Sequence, residues 1–202
     1  MAESELRRSD LAADPLEQFA VWFAEAGDAV ETPEAMALAT SAANGSPSLR
    51  MVLLKRFDER GLVFHTHYTS RKGRELEANP RAALLFHWSL LGRQVRVEGR
   101  VERLPEEDSD AYFESRPRDA QIGALASRQS EPLASRAELY ERMADLEGGL
   151  AGAPVPRPPT WGGYIVIPDA WEFWQHRDSR LHDRFRYELD PAGGWATARL
   201  FP

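Results

Sequence analysis

Arg93-Gln94-Val95-Arg96-Val97-Glu98-Gly99-Arg100-Val101-Glu102-Arg103-Leu104 alternates between apolar and polar residues. Side chains on a strand project to opposite faces in turn, so Val95, Val97, Gly99 and Val101 share one face. Gln94, Arg96, Glu98, Arg100 and Glu102 share the other, which predicts a half-buried strand. Arg81–Trp88 reads as its upstream neighbour. Before that, residues 69–77 form a short capped helix stopped by Asn79-Pro80, because the residue before proline avoids the helical region. Further upstream, Asn44-Gly45 is a hairpin turn between Met36–Thr40 and Ser48–Phe57, since both central positions of that turn need positive φ. The turn at 58–61 leads to a strand over Leu62–Thr66.

Downstream, helices are expected at 105–115, 117–126 and 132–147, then a Gly/Pro-rich loop to Pro159. Strands follow at Gly163–Ile167, Ala170–Trp174, Leu181–Glu188 and Trp195–Leu200. Near the start, Asp14-Pro15 caps an amphipathic helix carrying Leu16, Phe19, Val21, Trp22 and Phe23. Short connections imply antiparallel pairing. The expected fold is mainly β with flanking helices, about eight or nine strands in a closed or nearly closed barrel. Residues 1–13 are expected to be a flexible segment and 14–202 a single domain.

Composition narrows the function. The chain has 202 residues, a net charge of −7 and no cysteine, which excludes disulfides, thiolate catalysis and cysteine metal sites. The acidic balance, without an uninterrupted basic run, argues against nucleic acid as a partner. No stretch has the apolar length of a membrane span, and the first residues lack a signal-peptide core, so a cytoplasmic protein is expected.

Against this acidic background, basic residues cluster. Arg180, His182 and Arg184 stand at i, i+2 and i+4, which on a strand places them on one face, where like charges repel unless an anion lies among them. Ser70-Arg71-Lys72 puts two cations at a helix N-terminus, where the dipole disfavours them unless they share an anion such as phosphate. Arg50 and Lys55 lie on opposite faces of a regular strand and reach one ligand only if it bends. Arg116-Pro117-Arg118 follows Tyr112 by one helical turn. His65-x-His67 lacks a third ligand at a telling spacing, so no metal is expected. Dinucleotide, P-loop and nucleophile-elbow motifs are missing.

In order and spacing, Arg50-Met51-Val52-Leu53-Leu54-Lys55, Ser70-Arg71-Lys72, Arg93-Gln94-Val95, Ser115-Arg116-Pro117-Arg118-Asp119, Gln129-Ser130, Glu172-Phe173-Trp174-Gln175 and Arg180-Leu181-His182-Asp183-Arg184 resemble the pyridoxine (pyridoxamine) 5′-phosphate oxidase family, from about Leu6 to Pro202. The resemblance implies a split β-barrel homodimer that binds FMN. It implies that residues 50–55, with Ser70, Arg71 and Lys72, hold the FMN phosphate and ribityl chain. Thr66, the backbone around His65, and Gln94 would contact the flavin, Gln129 and Ser130 would reach the FMN of the opposite subunit, and Trp174 and Arg184 would complete its site. Lys55, Tyr112 and Arg116 would bind the substrate phosphate, with Arg180, Leu181 and His182 over the pyridine ring and Arg180 and His182 as the catalytic pair. The implied reaction passes a hydride from the substrate C4′ to the flavin and on to O2, giving pyridoxal 5′-phosphate and H2O2.

The pattern departs at three points. The family's N-terminal segment, whose Arg and Tyr close over the substrate, is expected to be missing. Ala120 replaces a phosphate-binding serine, and His176 replaces a glycine. Two other readings share the fold: a flavin oxidase of the phenazine-biosynthesis type, and a non-catalytic flavin- or haem-binding barrel. Lys55 and the Ser115–Asp119 motif favour a phosphorylated substrate.

Overall fold

The computed structural model describes residues 5–202. In chain order it contains α1 (Pro15–Ala29), β1 (Ala35–Ser41), β2 (Pro47–Leu53), β3 (Arg56–Asp58), β4 (Gly61–His67), α2 (Arg71–Ala78), β5 (Arg81–Trp88), β6 (Arg93–Arg103), α3 (Glu106–Ser115), α4 (Arg118–Ala126), α5 (Arg136–Leu150), β7 (Trp161–Gln175), β8 (Asp183–Leu189) and β9 (Trp195–Arg199). The strands form one sheet in the order β2-β1-β5-β6-β7-β4-β3, with β8 on β7 and β9 on β8. Every pairing is antiparallel.

The two ends of that path, β2 and β3, are joined by only Leu54 and Lys55. The sheet must therefore curl until its edges approach, which makes a split barrel. Leu54 N–H donates to Glu34 O (2.9 Å), on the side of β1, whereas Lys55 N–H donates to Val63 O of β4 (2.8 Å). The chain changes partners between these residues, so the single return strand expected over Ser48–Phe57 is two strands. The break removes the strict alternation that set Arg50 and Lys55 on opposite faces.

β7 is also longer than expected. Its first half pairs with β4 and its second half with β8, while β6 runs along the whole of it. The strands expected at Gly163–Ile167 and Ala170–Trp174 are one, because Pro168 sits at a register shift beside Gly99 instead of ending the strand. A Cβ on Gly99 would lie 2.1 Å from Ile167 O, so only glycine permits this approach.

Helix α1 plugs the barrel. Asp14 caps it, accepting from Leu16 N–H (2.8 Å). Phe19, fully buried, meets Phe57, Phe86 and Trp171 at ring distances of 5.0, 5.0 and 5.5 Å. Burying a side chain of this size contributes about 1.5–3 kcal/mol. Trp171 belongs to this core. A second cluster of Phe113, Ile122, Ala124, Val155 and Trp161 seats α3 and α4 over the start of β7. Residues 5–13, expected to be loose, pack on the barrel: Leu11 is buried, Leu6 N–H donates to Asp183 Oδ2 (3.1 Å) and Tyr187 Oη donates to Ala12 O (2.8 Å).

Candidate cofactor and substrate site

Helix α2 begins where β4 ends, and its first turn is built around a close approach. Ser70 Oγ accepts from Gly73 N–H (3.3 Å), so the hydroxyl caps the helix. Gly73 lies against the preceding loop so tightly that a Cβ would fall 2.1 Å from Tyr68 O. Only 7% exposed, Lys72 donates from Nζ to Thr66 Oγ1 (3.1 Å) and Gln129 Oε1 (2.9 Å). Both partners are neutral. Burial first, then the charge of Arg50, pushes the ammonium down to about 8. A buried ammonium whose hydrogen-bond partners are all neutral is a site for an anion.

Gln129 and Ser130 lie against Thr66, Lys72 and the N–H of Arg71 in the same chain, with Ser130 Oγ accepting the last at 3.1 Å. The α4–α5 connection folds back over α2, so these two residues, expected to reach the FMN of the opposite subunit, border the cradle of their own chain. Ser130 holds a left-handed backbone, φ +76°. Arg50, expected on the phosphate, has its terminal nitrogens engaged by Leu38 O, Thr40, Ser48 and Glu75. A cavity of about 510 Å³ opens beside Arg50, Arg71, Lys72 and Ser130.

Next to it lies a cavity of about 700 Å³ walled by Lys55, Thr66, Lys72, Tyr112, Arg116 and Ala120. Met51, Val52 and Leu53 form its rim, while Leu54 turns into the barrel core. His65 stacks against both Tyr112 (3.9 Å) and Trp161 (5.3 Å), whose rings lie 6.2 Å apart and nearly parallel, and the Arg116 guanidinium lies 4.7 Å from the Trp161 ring centre. Burial, then the charges of Arg116, Lys55 and Arg56, holds His65 down at about 4, so it is neutral near pH 7. One terminal nitrogen of Arg116 is buried without a partner. Stacked rings thus hold Tyr112 and Arg116 toward one space, and Ala120 offers it no donor.

The remaining expected residues stand elsewhere. Gln94 pairs with Trp174, and Trp174 with Arg184, across β6, β7 and β8. Arg184 donates to Glu172 Oε1 (2.9 Å) and Phe201 O (2.9 Å). Arg180, Leu181 and His182 precede β8, so the expected single strand face is corrected. Ser179 and Arg180 are left-handed, φ +57° and +61°, and break the strand there. Such backbone costs of order 1–3 kcal/mol each and persists where the surroundings enforce it. His182 lies 4.5 Å from the Trp174 ring, and its Nδ1 accepts from Arg177 N–H (3.1 Å). That bond leaves the proton of the neutral ring on Nε2, which presents a donor.

Neither cavity touches this second group. Trp161 and Trp174 sit near opposite ends of β7, a contour of roughly 40 Å at 3.3 Å per residue. Edge strand β2 also exposes Leu49, Met51 and Leu53 in a row, the kind of apolar edge that proteins cover.

Sequence reasoning missed Glu75, Gly73 and Trp161. The i, i+4 spacing of Arg71 and Glu75 was the available signal for the first; the others depend on tertiary approach.

A curled, split antiparallel barrel with a cation-lined cavity between its slit and a helix N-terminus defines the class of FMN-binding-type split-barrel proteins. Residues 23–146 match the family model for pyridoxamine 5′-phosphate oxidase, and residues 161–202 match the pyridoxine 5′-phosphate oxidase C-terminal dimerisation region. The pyridoxine/pyridoxamine 5′-phosphate oxidase of Rubrobacter xylanophilus is 59% identical over 190 residues, covering 94% of this chain and 87% of the relative. That of Bordetella petrii is 56% identical over 201 residues, covering 99% and 95%. Among solved structures, PhzG from Burkholderia lata 383, in complex with tetrahydrophenazine-1-carboxylic acid, superposes with a TM-score of 0.92 at 35% identity, covering 100% of this chain and 99% of that one. The chain belongs to the pyridoxamine 5′-phosphate oxidase family, and it is an enzyme of the oxidoreductase class.

Proposed function

We propose that the protein is an FMN-dependent oxidase acting as a homodimer, converting pyridoxine 5′-phosphate and pyridoxamine 5′-phosphate to pyridoxal 5′-phosphate while O2 is reduced to H2O2. The observation that carries this is two adjoining cavities, each with its own set of cations around a shared Lys72: Arg50 and Arg71 beside one, Lys55 and Arg116 beside the other. Two phosphates, one of cofactor and one of substrate, match two such sets. The residues fit FMN: Lys72 is buried with neutral partners, and no dinucleotide fingerprint stands in the sequence.

In this reading Lys72, Arg71 and the N-terminus of α2 hold the FMN phosphate, with Arg50 behind them. Thr66, and Gln94, Trp174 and Arg184, would border the flavin. Lys55, Tyr112 and Arg116 bind the substrate phosphate and orient the substrate. His182 offers its Nε2–H, and Arg180 its charge, to the pyridine ring. The chemistry supplied by bound FMN is hydride acceptance from the substrate C4′ and return of electrons to O2. No helix among the described residues is long and apolar enough to cross a membrane.

The test is to titrate FMN into the protein and to follow peroxide release with each B6 phosphate and with unphosphorylated pyridoxine. Binding of FMN and turnover of the phosphorylated compounds alone is expected; failure to bind FMN overturns the reading. The PhzG likeness favours one alternative, oxidation of a reduced phenazine, and turnover of that class without B6 turnover would establish it. Acid–base behaviour offers a second check. Lys72 is charged below about 8 and neutral above, and phosphate binds the charged form. FMN affinity is therefore expected to weaken above pH 8, by up to about tenfold per pH unit. A Kd unchanged between pH 7 and 9.5 would remove Lys72 from the phosphate.

A further inference from the structure

The carboxylate of Glu75 takes no part in the reading above, yet donors from three elements converge on it. Its Oε2 accepts from Thr40 Oγ1 of β1 (2.5 Å), and from Ser48 Oγ and Arg50 Nη2 of β2, the last at 3.2 Å. Its Oε1 accepts from Arg71 Nε of α2 (2.9 Å). Glu75 is 6% exposed. Burial by itself raises a carboxyl, but hydrogen bonds from Ser48, Thr40, Arg71 and Arg50 outweigh it and hold Glu75 ionised, at about 2.

The consequence falls on the two arginines. Thr40 Oγ1 donates to Glu75 and accepts from Arg50 Nη1 (2.6 Å), so Arg50 is gripped at both terminal nitrogens. Arg71, whose side chain is 59% exposed, is anchored at Nε and leaves its terminal nitrogens free of Glu75. Without a central anion, Arg50, Arg71 and Lys72 would repel one another at the positive end of α2. An arginine already held loses less freedom on binding than one waving in water.

We infer that Glu75 is a positioning residue for the FMN phosphate: it fixes Arg50 and Arg71 so that the cradle is formed before the phosphate arrives, and it thereby sets discrimination between FMN and riboflavin. The inference rests on the proposed FMN site. A carboxylate near a phosphate also repels it, and the outcome of the competition is directly measurable. In Glu75→Gln the amide oxygen must serve the side where Thr40, Ser48 and Arg50 donate. Its NH2 then faces Arg71 Nε, donor against donor, and Arg71 is released.

The experiment strips flavin from the protein and titrates it with FMN and with riboflavin, following quenching of flavin fluorescence. Glu75→Gln is expected to weaken FMN about tenfold or more while leaving riboflavin unchanged. Because a buried hub can cost folding, Thr40→Val is the second variant: it removes one arm, keeps the carboxylate, and is expected to weaken FMN about threefold with riboflavin unchanged. Both variants are checked for cooperative thermal unfolding. An unchanged ratio of FMN to riboflavin affinity in a folded variant overturns the inference, as does tighter FMN binding, or equal weakening of both flavins. If the unaltered protein binds no FMN, the proposed function falls as well; if it does and the ratio stays fixed, only the role of Glu75 falls.

Discussion

Replacing Gly73 with alanine is expected to destabilise the protein by roughly 3 kcal/mol or more and to strip it of FMN, because overpacking against immovable neighbours sits at the top of the usual range. The added Cβ would lie 2.1 Å from Tyr68 O, 2.5 Å from Tyr68 C and 2.8 Å from His67 O. All of these are backbone atoms, so no side chain can swing aside. Relief requires α2 to move off the loop, which carries Lys72 away from Thr66 and Gln129, its partners in the cavity wall. Stability and phosphate binding should therefore fall together. The control is Gly149→Ala in α5, where a Cβ meets nothing within 4 Å. There the helix gains about 0.5–1 kcal/mol from alanine over glycine. Urea unfolding and FMN titration of both variants check the pair. A Gly73→Ala protein as stable as the original, with FMN bound, would show that the helix start tolerates displacement.

Much of the barrel was readable because local pattern and tertiary role agree. The alternation from Arg93 to Leu104 became β6, with Val95 and Val97 fully buried and Arg96 and Arg100 outside. Asn44-Gly45 does lie in the β1–β2 connection, but only Gly45 is left-handed, φ +82°, and the connection spans 42–46, so the expected tight turn with two positive-φ residues is a longer loop. Failures arose where backbone departed from what side chains advertise. Nothing in the side-chain pattern of Ser179 and Arg180 announces left-handed backbone, so the row Arg180, His182, Arg184 was read as a strand face. The strands expected at Gly163–Ile167 and Ala170–Trp174 are one, because Gly99 opposite Pro168 lets the strand continue. The Leu54-Lys55 switch from β1 to β4 depends on barrel closure, a long-range event that no window of sequence contains. The cations of the site were legible as charges out of place. Their order in space was not, because Glu75 and the Tyr112–His65–Trp161 stack unite residues far apart in the chain.

The largest effect is expected from mixing defective subunits. Lys55, Lys72, Tyr112 and Arg116 wall one cavity, whereas Gln94, Trp174 and His182 lie toward the other end of the long β7 strand and line neither cavity described. In the proposed homodimer each site joins the first group of one subunit to the second group of its partner. Arg116→Ala loses the substrate phosphate and His182→Ala loses the ring donor, so each pure variant is expected to fall about a hundredfold or more in kcat/KM. After subunit exchange of an equal mixture, half of the dimers are mixed. Each mixed dimer carries one site with both defects and one with none, so activity should return to about a quarter of the unaltered level. The reciprocal mixture makes the test decisive. When the Arg116→Ala/His182→Ala double variant is mixed equally with unaltered protein, every site of a mixed dimer holds one defect. Activity should then drop to about a quarter, whereas sites contained within single subunits would leave about half. Recovery in the first mixture without the excess loss in the second, or neither effect where differently tagged subunits co-purify, would place the complete site within one chain.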